Sequence, residues 1–441
     1  MHEAHSMAGR TRPTPPSALP VERAPVFLLL AGLLVAGALQ ALAPAAAGAQ
    51  ADRDREVYTL EELLEMGRSQ NPSVLALRAR EEAMEAQRQD AGSWPNPELG
   101  LEVGEGEPFG SQETRTIRGV SLRQVIENPY TRHHRLQALD RRREATREDL
   151  RLGILDTEYQ IRMHFYRVLY LRELLRLARL NEEALAGIRE LVETRARVGE
   201  VRELEAIRLR VEHLRAENEV EAAVMELEQY RKHLNTFLGN VLPPDYTLEG
   251  SLDYQAGEPE LEDLVAQALP GHPQVIRARR EREAAGAELR GARWGWLPDP
   301  VLSGSSNRVL DGTIRRLGLG LQLPLWNRSR QAARKEEEEL RAAEHRETAI
   351  RQELEAQLMI HHNHLRLARQ TIQFFEEGLL REARASMEIA ETSYRQGEIS
   401  FVEYLDARRT YHSIQIERQQ ALFDWNREWA ALDRAAGGRT S

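Results

Sequence analysis

Residues 317–324 read Leu-Gly-Leu-Gly-Leu-Gln-Leu-Pro, an alternation of large apolar residues with glycine or glutamine that is typical of a β-strand. Successive side chains of a strand point to opposite faces, so the leucines share one face and the small or polar residues share the other. Residues 98–103, Glu-Leu-Gly-Leu-Glu-Val, alternate in the same way. The sequence therefore predicts strands that have one apolar and one polar face.

This strand belongs to one of two similar halves of the chain. Residues 318–321 (Gly-Leu-Gly-Leu) correspond to 119–122 (Gly-Val-Ser-Leu) at an offset of 199 residues. Residues 60–63 (Leu-Glu-Glu-Leu) correspond to 261–264 (Leu-Glu-Asp-Leu) at an offset of 201. Such anchors occur in the same order at nearly one offset, which predicts two structural copies of about 200 residues each.

Each copy is predicted to begin with a helix, at about 60–91 and 261–293, that a Pro-x-Pro sequence ends before the first strand. A very long helix follows the strands. In the first copy, 131–198 contains no proline, and its length corresponds to a rod of roughly 100 Å. Apolar residues recur along it at alternating steps of three and four, the spacing of a coiled-coil seam. These residues are Leu150, Ile154, Thr157, Ile161, Phe165, Val168, Leu171, Leu175 and Ala178.

The composition agrees with long helices and excludes several kinds of site. Charged residues make up 29% of the 441 residues, aromatic residues make up 6%, and there is no cysteine. Disulfides, thiolate nucleophiles and cysteine metal sites are therefore impossible. The net charge of −10 argues against nucleic acid as a partner. No P-loop, G-x-S-x-G or H-E-x-x-H sequence is present, so we expect neither enzymatic activity nor a cofactor.

The N-terminus predicts export. Basic residues precede an apolar stretch at 26–42, and Ala47-Gly48-Ala49 provides an A-x-A cleavage sequence. We interpret residues 1–49 as a signal peptide, and a membrane anchor is the less favoured alternative. No later stretch has 18 consecutive apolar residues, so a bundle of transmembrane helices is not expected.

The predicted strands need partners from other chains if they face lipid. Closed membrane barrels begin at about 8 strands, and hydrocarbon does not tolerate an unpaired strand edge. Several chains would therefore have to share one barrel. The polar residues expected to line its wet lumen are Glu98, Glu102, Arg118 and Gln322. The tryptophans expected at the membrane interface, with packing of the helix–strand junction as the alternative, are Trp94, Trp296 and Trp326.

Two predicted helical tips complete a recognisable layout. The first reads Arg-Val-Gly-Glu at 197–200; the second reads Tyr-Arg-Gln-Gly at 394–397 and is followed by Phe-Val-Glu-Tyr-Leu-Asp-Ala-Arg at 401–408. Together with the doubled order and the Pro-x-Pro sequences, these features resemble the TolC family of outer membrane efflux proteins. The resemblance covers about 56–436, and the stretch 397–411 is most similar to the heavy-metal, CzcC-like branch.

The resemblance implies a mainly α fold with a small β part. Long antiparallel coiled-coil helices are combined with four strands per chain, and three chains form a 12-stranded β-barrel and an α-helical periplasmic tunnel. The implied partners are two further copies of the chain, outer membrane lipid, a periplasmic adaptor (membrane fusion) protein, and an inner-membrane pump of the RND rather than the ABC type. We thus expect a passive exit duct of the outer membrane, with a large periplasmic part, for small molecules or metal cations. A periplasmic coiled-coil scaffold or adaptor outside the membrane is the alternative.

The expected organisation follows the repeat. A first copy spans 50–240, with a β-hairpin at 97–126 and a tip at residue 199, and a linker follows at 241–260. The second copy spans 261–436, with a β-hairpin at 300–325 and a tip at residue 397, and 437–441 forms a tail.

Four residues near the tips are candidates for a pore gate. Glu403 and Asp406 share one face of the returning helix because they are three residues apart. In the resembling family, acidic residues at these positions ring the narrowest part of the pore, where they favour cations. The resemblance also implies that Glu205 holds the closed state through a hydrogen bond to Tyr394. Ile399 stands where the family often has an arginine of that lock. Ordinary solvated helix charges are the alternative interpretation of the two acids.

The tips themselves are the candidate contacts for the adaptor. Both end in glycine, a common helix C-cap, and capping is compatible with docking. The contact residues are Val198, Gly199, Glu200, Gln396, Gly397 and Glu398.

Histidines form a separate pattern. His361 and His364 share a helix face, and imidazole binds zinc, copper and nickel. No carboxylate lies four residues after either of them, so solvated or seam histidines are the preferred interpretation, as they are for His133 and His134. No metal site is predicted.

Overall fold

A computed structural model of the chain describes residues 57–107, 110, 114–254, 257, 260–309, 312–322 and 329–438. The predicted signal peptide and Trp326 lie outside the described residues, so both stay predictions.

The first half of the described chain begins with a short strand and two helices, continues with two strands and ends with two long helices. These are β1 (Val57–Tyr58), α1 (Leu60–Gln70), α2 (Pro72–Gly92), β2 (Glu98–Gly106), β3 (Arg115–Val125), α3 (Pro129–Arg197) and α4 (Glu203–Phe237).

The second half has the same order, except that a π-helical segment interrupts its long helix. Its elements are β4 (Thr247–Leu248), α5 (Leu261–Gly271), α6 (Pro273–Arg293), β5 (Pro300–Val309), β6 (Gly312–Leu321), α7 (Ser329–Phe374), the π segment (Phe375–Leu379), α8 (Leu380–Gln396) and α9 (Phe401–Ala435). Within the described ranges, no helix combines the length and the hydropathy needed to cross a bilayer.

A proline interrupts the first helix of each half, so the predicted continuous helices at 60–91 and 261–293 are wrong in this respect. Asn71, with ψ 126°, ends α1, and its side chain caps α2 by accepting two backbone N–H groups. Pro72 is the first residue of α2, where its missing N–H would have no partner in the helix. His272 repeats the arrangement before α6. The helix restarts at these points because the residue before a proline is driven to extended geometry.

Helix α3 confirms the predicted rod. It has 69 residues, which corresponds to roughly 100 Å. Ile161, Phe165, Val168 and Leu171 of the predicted seam are buried. Ile161, Phe165 and Val168 share an apolar cluster with residues of α1 and α4, and Leu171 clusters with Phe423 of α9, so an apolar stripe holds the long helix against these neighbours.

A two-stranded parallel sheet, which the sequence did not predict, joins the start of the described chain to its middle. Val57 pairs with Thr247, and Tyr58 pairs with Leu248. The Tyr58 and Tyr246 rings meet edge to face, with centroids 6.3 Å apart. The described part of the predicted linker, 241–254, therefore packs on the helices around a buried aromatic pair.

The four longer strands form one antiparallel sheet in the order β2-β3-β5-β6. Two hairpins, one from each half, meet where β3 pairs with β5. Among the described residues, β2 and β6 each have a partner on one side only. The sheet therefore has two open edges, one from each half of the chain.

Candidate membrane face, helical tips and pore gate

One face of the four-stranded sheet is apolar and exposed. Leu101 lies directly opposite Val120, and Leu302 lies directly opposite Leu319; directly opposed residues of an antiparallel pair share a face. The exposed fraction of Leu101 reaches 73%. The exposed apolar residues on this face are Leu99, Leu101, Val103, Val120, Leu122, Leu302, Leu317, Leu319 and Leu321. A contiguous apolar surface of this kind marks a contact with lipid or protein.

The opposite face is polar and rich in small residues. Glu98 lies opposite Arg123, with an Nη1–Oε2 distance of 3.8 Å, and Glu102 lies opposite Gly119. A Cβ on Gly119 would lie only 2.7 Å from Asn307 Oδ1, so glycine fits this crowded position. The structure thus places Glu98 and Glu102 on the face expected to be wet.

Arg118 is not on that polar face, so its predicted place is wrong. It lies directly opposite Val103 on one side and Arg308 on the other, which puts it on the apolar face. Arg118 and Val120 are two residues apart in β3, so their side chains lie on the same face of the sheet. Arg118 and Arg308 therefore border the apolar surface at its end near the hairpin turns.

The tryptophans next to the strands are exposed. Trp94 and Trp296 each have an exposed fraction of 56%, and the guanidinium of Arg132 lies 4.8 Å from the centre of the Trp94 ring. Trp294 at the same junction is 36% exposed and stacks on Tyr130 with ring centroids 4.5 Å apart. The exposure of Trp94 and Trp296 is what an interfacial aromatic residue requires.

Both helical tips end in the same left-handed turn. Gly199 has φ +78° and Gly397 has φ +81°, a region that favours glycine. The N–H of Glu200 donates to the carbonyl of Arg195 at 2.9 Å, and the N–H of Glu398 donates to that of Ser393 at 2.9 Å. These bonds satisfy carbonyls at the helix ends. The six predicted contact residues at 198–200 and 396–398 are all exposed.

An aromatic core joins the two tips. Tyr394 at the end of α8 and Phe401 and Tyr404 at the start of α9 are buried and belong to one apolar cluster. Val192 of α3 and Leu209 of α4 belong to the same cluster. The tips of the two halves therefore pack as a unit.

Arg195 bridges the tips, and sequence reasoning missed it. From the last turn of α3, its Nη2 donates to the carbonyl of Arg395 at 2.7 Å and its Nη1 donates to that of Tyr394 at 3.5 Å. A guanidinium at the C-terminus of α8 satisfies carbonyls and complements the helix dipole. One signal was present: Arg195 is a basic residue in the last turn of a predicted helix, where such side chains often bind terminal carbonyls.

The predicted gate acids are exposed on one face of α9, but Glu403 also has a local role. The backbone N–H and the hydroxyl of Ser400 each donate to Glu403 Oε2 at 2.8 Å, and the N–H of Glu403 donates back to Ser400 Oγ at 3.3 Å. This capping box begins α9. The N–H of Ser400 lowers the pKa of Glu403, so its carboxylate is ionised over a wider pH range. Asp406, one turn on, is exposed.

The expected hydrogen bond between Glu205 and Tyr394 is not formed in the structure. The Tyr394 hydroxyl is buried and has no hydrogen-bond partner among the described residues. Burial first, and then the negative charge of the nearby Glu205, raise the pKa of Tyr394 to about 12. Glu205 Oε1 lies instead 3.9 Å from Arg202 Nε. Tyr394 therefore contributes through its ring, which the aromatic core holds away from the carboxylate.

The chain is similar in sequence and in fold to known proteins. Residues 63–240 and residues 264–438 both match the family model described as outer membrane efflux protein. The chain belongs to the outer membrane efflux protein family. The expected resemblance is thus confirmed, and the two matched segments fall in the two halves of the chain.

Individual relatives and a solved structure are consistent with this family assignment. The chain is 25% identical over 392 residues to the cobalt-zinc-cadmium resistance protein CzcC of Cupriavidus metallidurans, covering 86% of this chain and 90% of the relative. It is 24% identical over 439 residues to the pyoverdine export outer membrane protein OpmQ of Pseudomonas putida, covering 90% of each. The outer-membrane channel OprN has the same fold, with a TM-score of 0.74, 18% identity, and coverage of 86% of this chain and 90% of that chain.

The family assignment confirms two expectations. The chain is an efflux channel protein, and it is located in the outer membrane of the cell. The alternative of a periplasmic scaffold outside the membrane is therefore set aside. The mainly helical fold with a small β part is confirmed as well.

The structure of this efflux protein also brings together a set of residues that the sequence kept apart. His361 Nδ1 lies 2.9 Å from Glu428 Oε2, and His364 Nδ1 lies 3.6 Å from the same oxygen. Burial raises the pKa of Glu428, but hydrogen bonds from His361 and Arg427 outweigh it and lower the pKa overall. The interpretation that these histidines are only solvated or seam residues missed this carboxylate, which lies 67 residues from His361.

Proposed function

We propose that three copies of this chain form a passive exit duct through the outer membrane. Each copy contributes its four strands to a shared 12-stranded barrel and its long helices to a periplasmic tunnel. The exposed apolar face of the β2-β3-β5-β6 sheet carries the proposal, since nothing in the described part of the chain covers that face.

The open edges of the sheet support closure by further copies. Strands β2 and β6 each expose a row of backbone N–H and C=O groups, which hydrocarbon does not tolerate. Pairing β6 of one copy with β2 of the next removes both edges. Four strands fall short of the smallest membrane barrels, and three copies reach a size well within their range. The polar face with Glu98 and Glu102 then lines the lumen.

The helices support the remaining parts of the proposal. At roughly 100 Å, α3 is far longer than a bilayer is thick, so most of it extends into the periplasm. The exposed tips at 198–200 and 396–398 then meet a periplasmic adaptor protein, which couples the duct to an inner-membrane pump of the RND type. The division into copies at 50–240 and 261–436 is proposed on the same basis, supported by the repeated order of elements.

We infer that the cargo is a divalent metal cation. One relative is named for cobalt, zinc and cadmium resistance. Exposed Glu403 and Asp406 support the same inference, because three copies would focus a negative potential near the tips. We assign these two residues to the pore gate together with Tyr394, which packs in the aromatic core of the tips, and Glu205, which lies near it.

Cross-linking tests the shared barrel, and the chain contains no cysteine of its own. Glu102→Cys on β2 and Arg316→Cys on β6 both place the sulfur on the polar face. With Gly318→Cys and Gly320→Cys as alternative partners for Glu102→Cys, the panel covers neighbouring registers. Oxidation of a double variant in outer membranes should give a covalent trimer on a denaturing gel that reduction returns to monomer. Each single variant serves as the control and should stay monomeric.

Two other outcomes of the cross-linking would contradict the proposal. A ladder that stops at dimer would indicate an eight-stranded barrel of two copies. Membrane-inserted double variants that never cross-link in any register would contradict edge-to-edge closure.

The cargo has its own test. A strain that lacks this chain should lose growth at elevated Co²⁺, Zn²⁺ or Cd²⁺ and accumulate the metal, and the wild-type chain should restore both. Unchanged metal tolerance, with loss of export of an organic chelator instead, would contradict the inference.

A further inference from the structure

Two imidazoles and one carboxylate converge between helices α7 and α9. His361 and His364 project from one face of α7, and Glu428 approaches from α9. One ligand atom from each residue lies within 4.8 Å of the other two. The carboxylate oxygen is 2.9 Å from His361 Nδ1 and 3.6 Å from His364 Nδ1.

These distances suit a zinc-sized cation. Zinc binds imidazole nitrogen at about 2.0–2.1 Å, so two ligand atoms of a tetrahedral ion lie roughly 3.3 Å apart. The observed separations of 2.9 and 3.6 Å lie on either side of that value. Two histidines and one glutamate form a ligand set that zinc uses with water in the fourth position.

The carboxylate is held in position for this role. The side chain of Glu428 is 9% exposed, and Arg427 donates to its Oε1 from Nη2 at 3.0 Å and from Nε at 3.1 Å. Oε2 is left to face the two histidines. The charge of Arg427 is shared with Asp424 at 2.8 Å, so the three charged groups sum to −1. Partners that orient a ligand in this way are typical of metal sites.

The site is also accessible. The side chain of His364 is 57% exposed, and that of His361 is 29% exposed. A cation can therefore reach the nitrogens without unfolding either helix.

A second cluster is less suitable. His213 lies 2.9 Å from Glu182 and 3.3 Å from Glu217, but it supplies the only imidazole of that group. Arg189 Nη1 lies 3.3 Å from His213 Nδ1, so one of the two ring nitrogens of that imidazole already has a partner.

We propose that His361, His364 and Glu428 bind one divalent first-row transition metal ion, of which Zn²⁺ is the type, and that this ion joins α7 to α9. The proposal depends neither on the cargo of the duct nor on the number of copies in its barrel. It concerns a site within one chain.

Metal titration of the full-length protein in detergent tests the site. Protein stripped with a chelator is titrated with Co²⁺, whose visible absorption reports its ligands, and with Zn²⁺ by calorimetry. Wild type should bind one ion per chain tightly. His364→Gln and Glu428→Gln should each weaken Zn²⁺ binding at this site by at least about 100-fold, because losing a mere supporting partner already costs 10–100-fold. His364 is exposed, so its variant is expected to fold.

A matched control separates this site from general histidine binding. His412 lies 3.2 Å from Glu219 without a second imidazole, so His412→Gln should leave the tight site unchanged. Zn²⁺ should also raise the Tm of the wild type and of His412→Gln, but not that of His364→Gln. Equal Zn²⁺ titrations of the wild type and His364→Gln, or a Tm rise that survives in His364→Gln, would overturn the proposal.

Discussion

Tyr394 and Tyr404 stack face to face across the second helical tip, with ring centroids 5.2 Å apart and planes inclined by 17°. The pair joins the last turn of α8 to the first turn of α9, and Phe401 packs beside both rings. Stacked and tilted aromatic pairs contribute about 0.5–1.5 kcal/mol beyond the area that they bury. The tip is therefore held by rings, and the buried Tyr394 hydroxyl takes no part in a lock with Glu205.

Removing the Tyr394 hydroxyl should not destabilise the protein. A buried polar group without a partner costs about 1–3 kcal/mol, so Tyr394→Phe should leave the free energy of unfolding unchanged or raise it by about 1 kcal/mol. Tyr246 is the matched control, because it is equally buried but its hydroxyl donates to the carbonyl of Arg231 at 2.7 Å. Tyr246→Phe should lose about 1 kcal/mol in denaturant unfolding. Equal losses in both variants would show that Tyr394 has a partner after all.

Loss of the Arg195 bridge should loosen the tips. Arg195→Ala removes the donors to the carbonyls of Tyr394 and Arg395, and hydrogen bonds from a charged group are worth about 1.5–3 kcal/mol. We expect faster amide hydrogen exchange at 394–398 and faster proteolysis there. Arg197→Ala is the control, since Arg197 is exposed and, within the described part of the chain, donates only to Thr194 Oγ1 of its own helix. Equal exchange in the two variants would contradict the bridging role.

Charge on the two faces of β2 should have opposite consequences. Leu101→Lys puts an ammonium on the apolar face, which costs about 2–4 kcal/mol at the middle of a bilayer. We expect less trimer in the outer membrane, measured as heat-sensitive migration of membrane extracts. Glu102→Lys, one residue along on the polar face, should assemble normally and alter only the conductance. Normal assembly of Leu101→Lys would mean that lipid does not contact this face.

Neutralising the acids near the second tip should open the duct to ion flow. Glu403→Gln keeps a capping side chain, and Asp406→Asn keeps the shape, so the double variant mainly removes charge. In a planar bilayer we expect a higher single-channel conductance and weaker block by multivalent cations. Glu382→Gln, an exposed acid farther up α8, should change neither property. Conductance and block equal to wild type would remove these two residues from the gate.

The pH dependence of that block follows from the capping box. The ordinary pKa of a glutamate is 4.5, and the N–H of Ser400 lowers that of Glu403, so its carboxylate stays charged as the pH falls past this value. In an Asp406→Asn background, block should persist below pH 4.5 and disappear only as the pH falls through the lowered pKa. Ser400→Ala removes the hydroxyl of the cap and should move the loss of block to higher pH.

Much of the architecture was predictable because strands and helices follow from the local spacing of apolar residues. The alternation at 317–323 predicts a strand wherever it lies in the chain, and the seam of α3 predicts a long packed helix. The division of the early helices at Asn71 and His272 was equally local, since both precede proline. The prediction that Arg118 lies on the polar face was wrong, although its spacing of two residues from Val120 was enough to assign it to the apolar face.

The contacts across the tips and within the histidine site were beyond such reasoning. Arg195 meets its carbonyl partner 200 residues away, and Glu428 meets His361 from a distance of 67 residues. No helical or strand period relates positions so far apart. The Glu205–Tyr394 bond, which the family resemblance implied, is not formed because the packing of three rings decides where the Tyr394 hydroxyl lies.

By itself, the sequence determined the elements, their repetition and the apolar and polar faces of the strands, since these depend on spacing along the backbone. Only the tertiary structure decided which β-hairpin lies beside which, that the tips share one aromatic core, and that two histidines meet a glutamate. These depend on how the long helices pack side by side, because that packing brings together side chains that are far apart in the sequence.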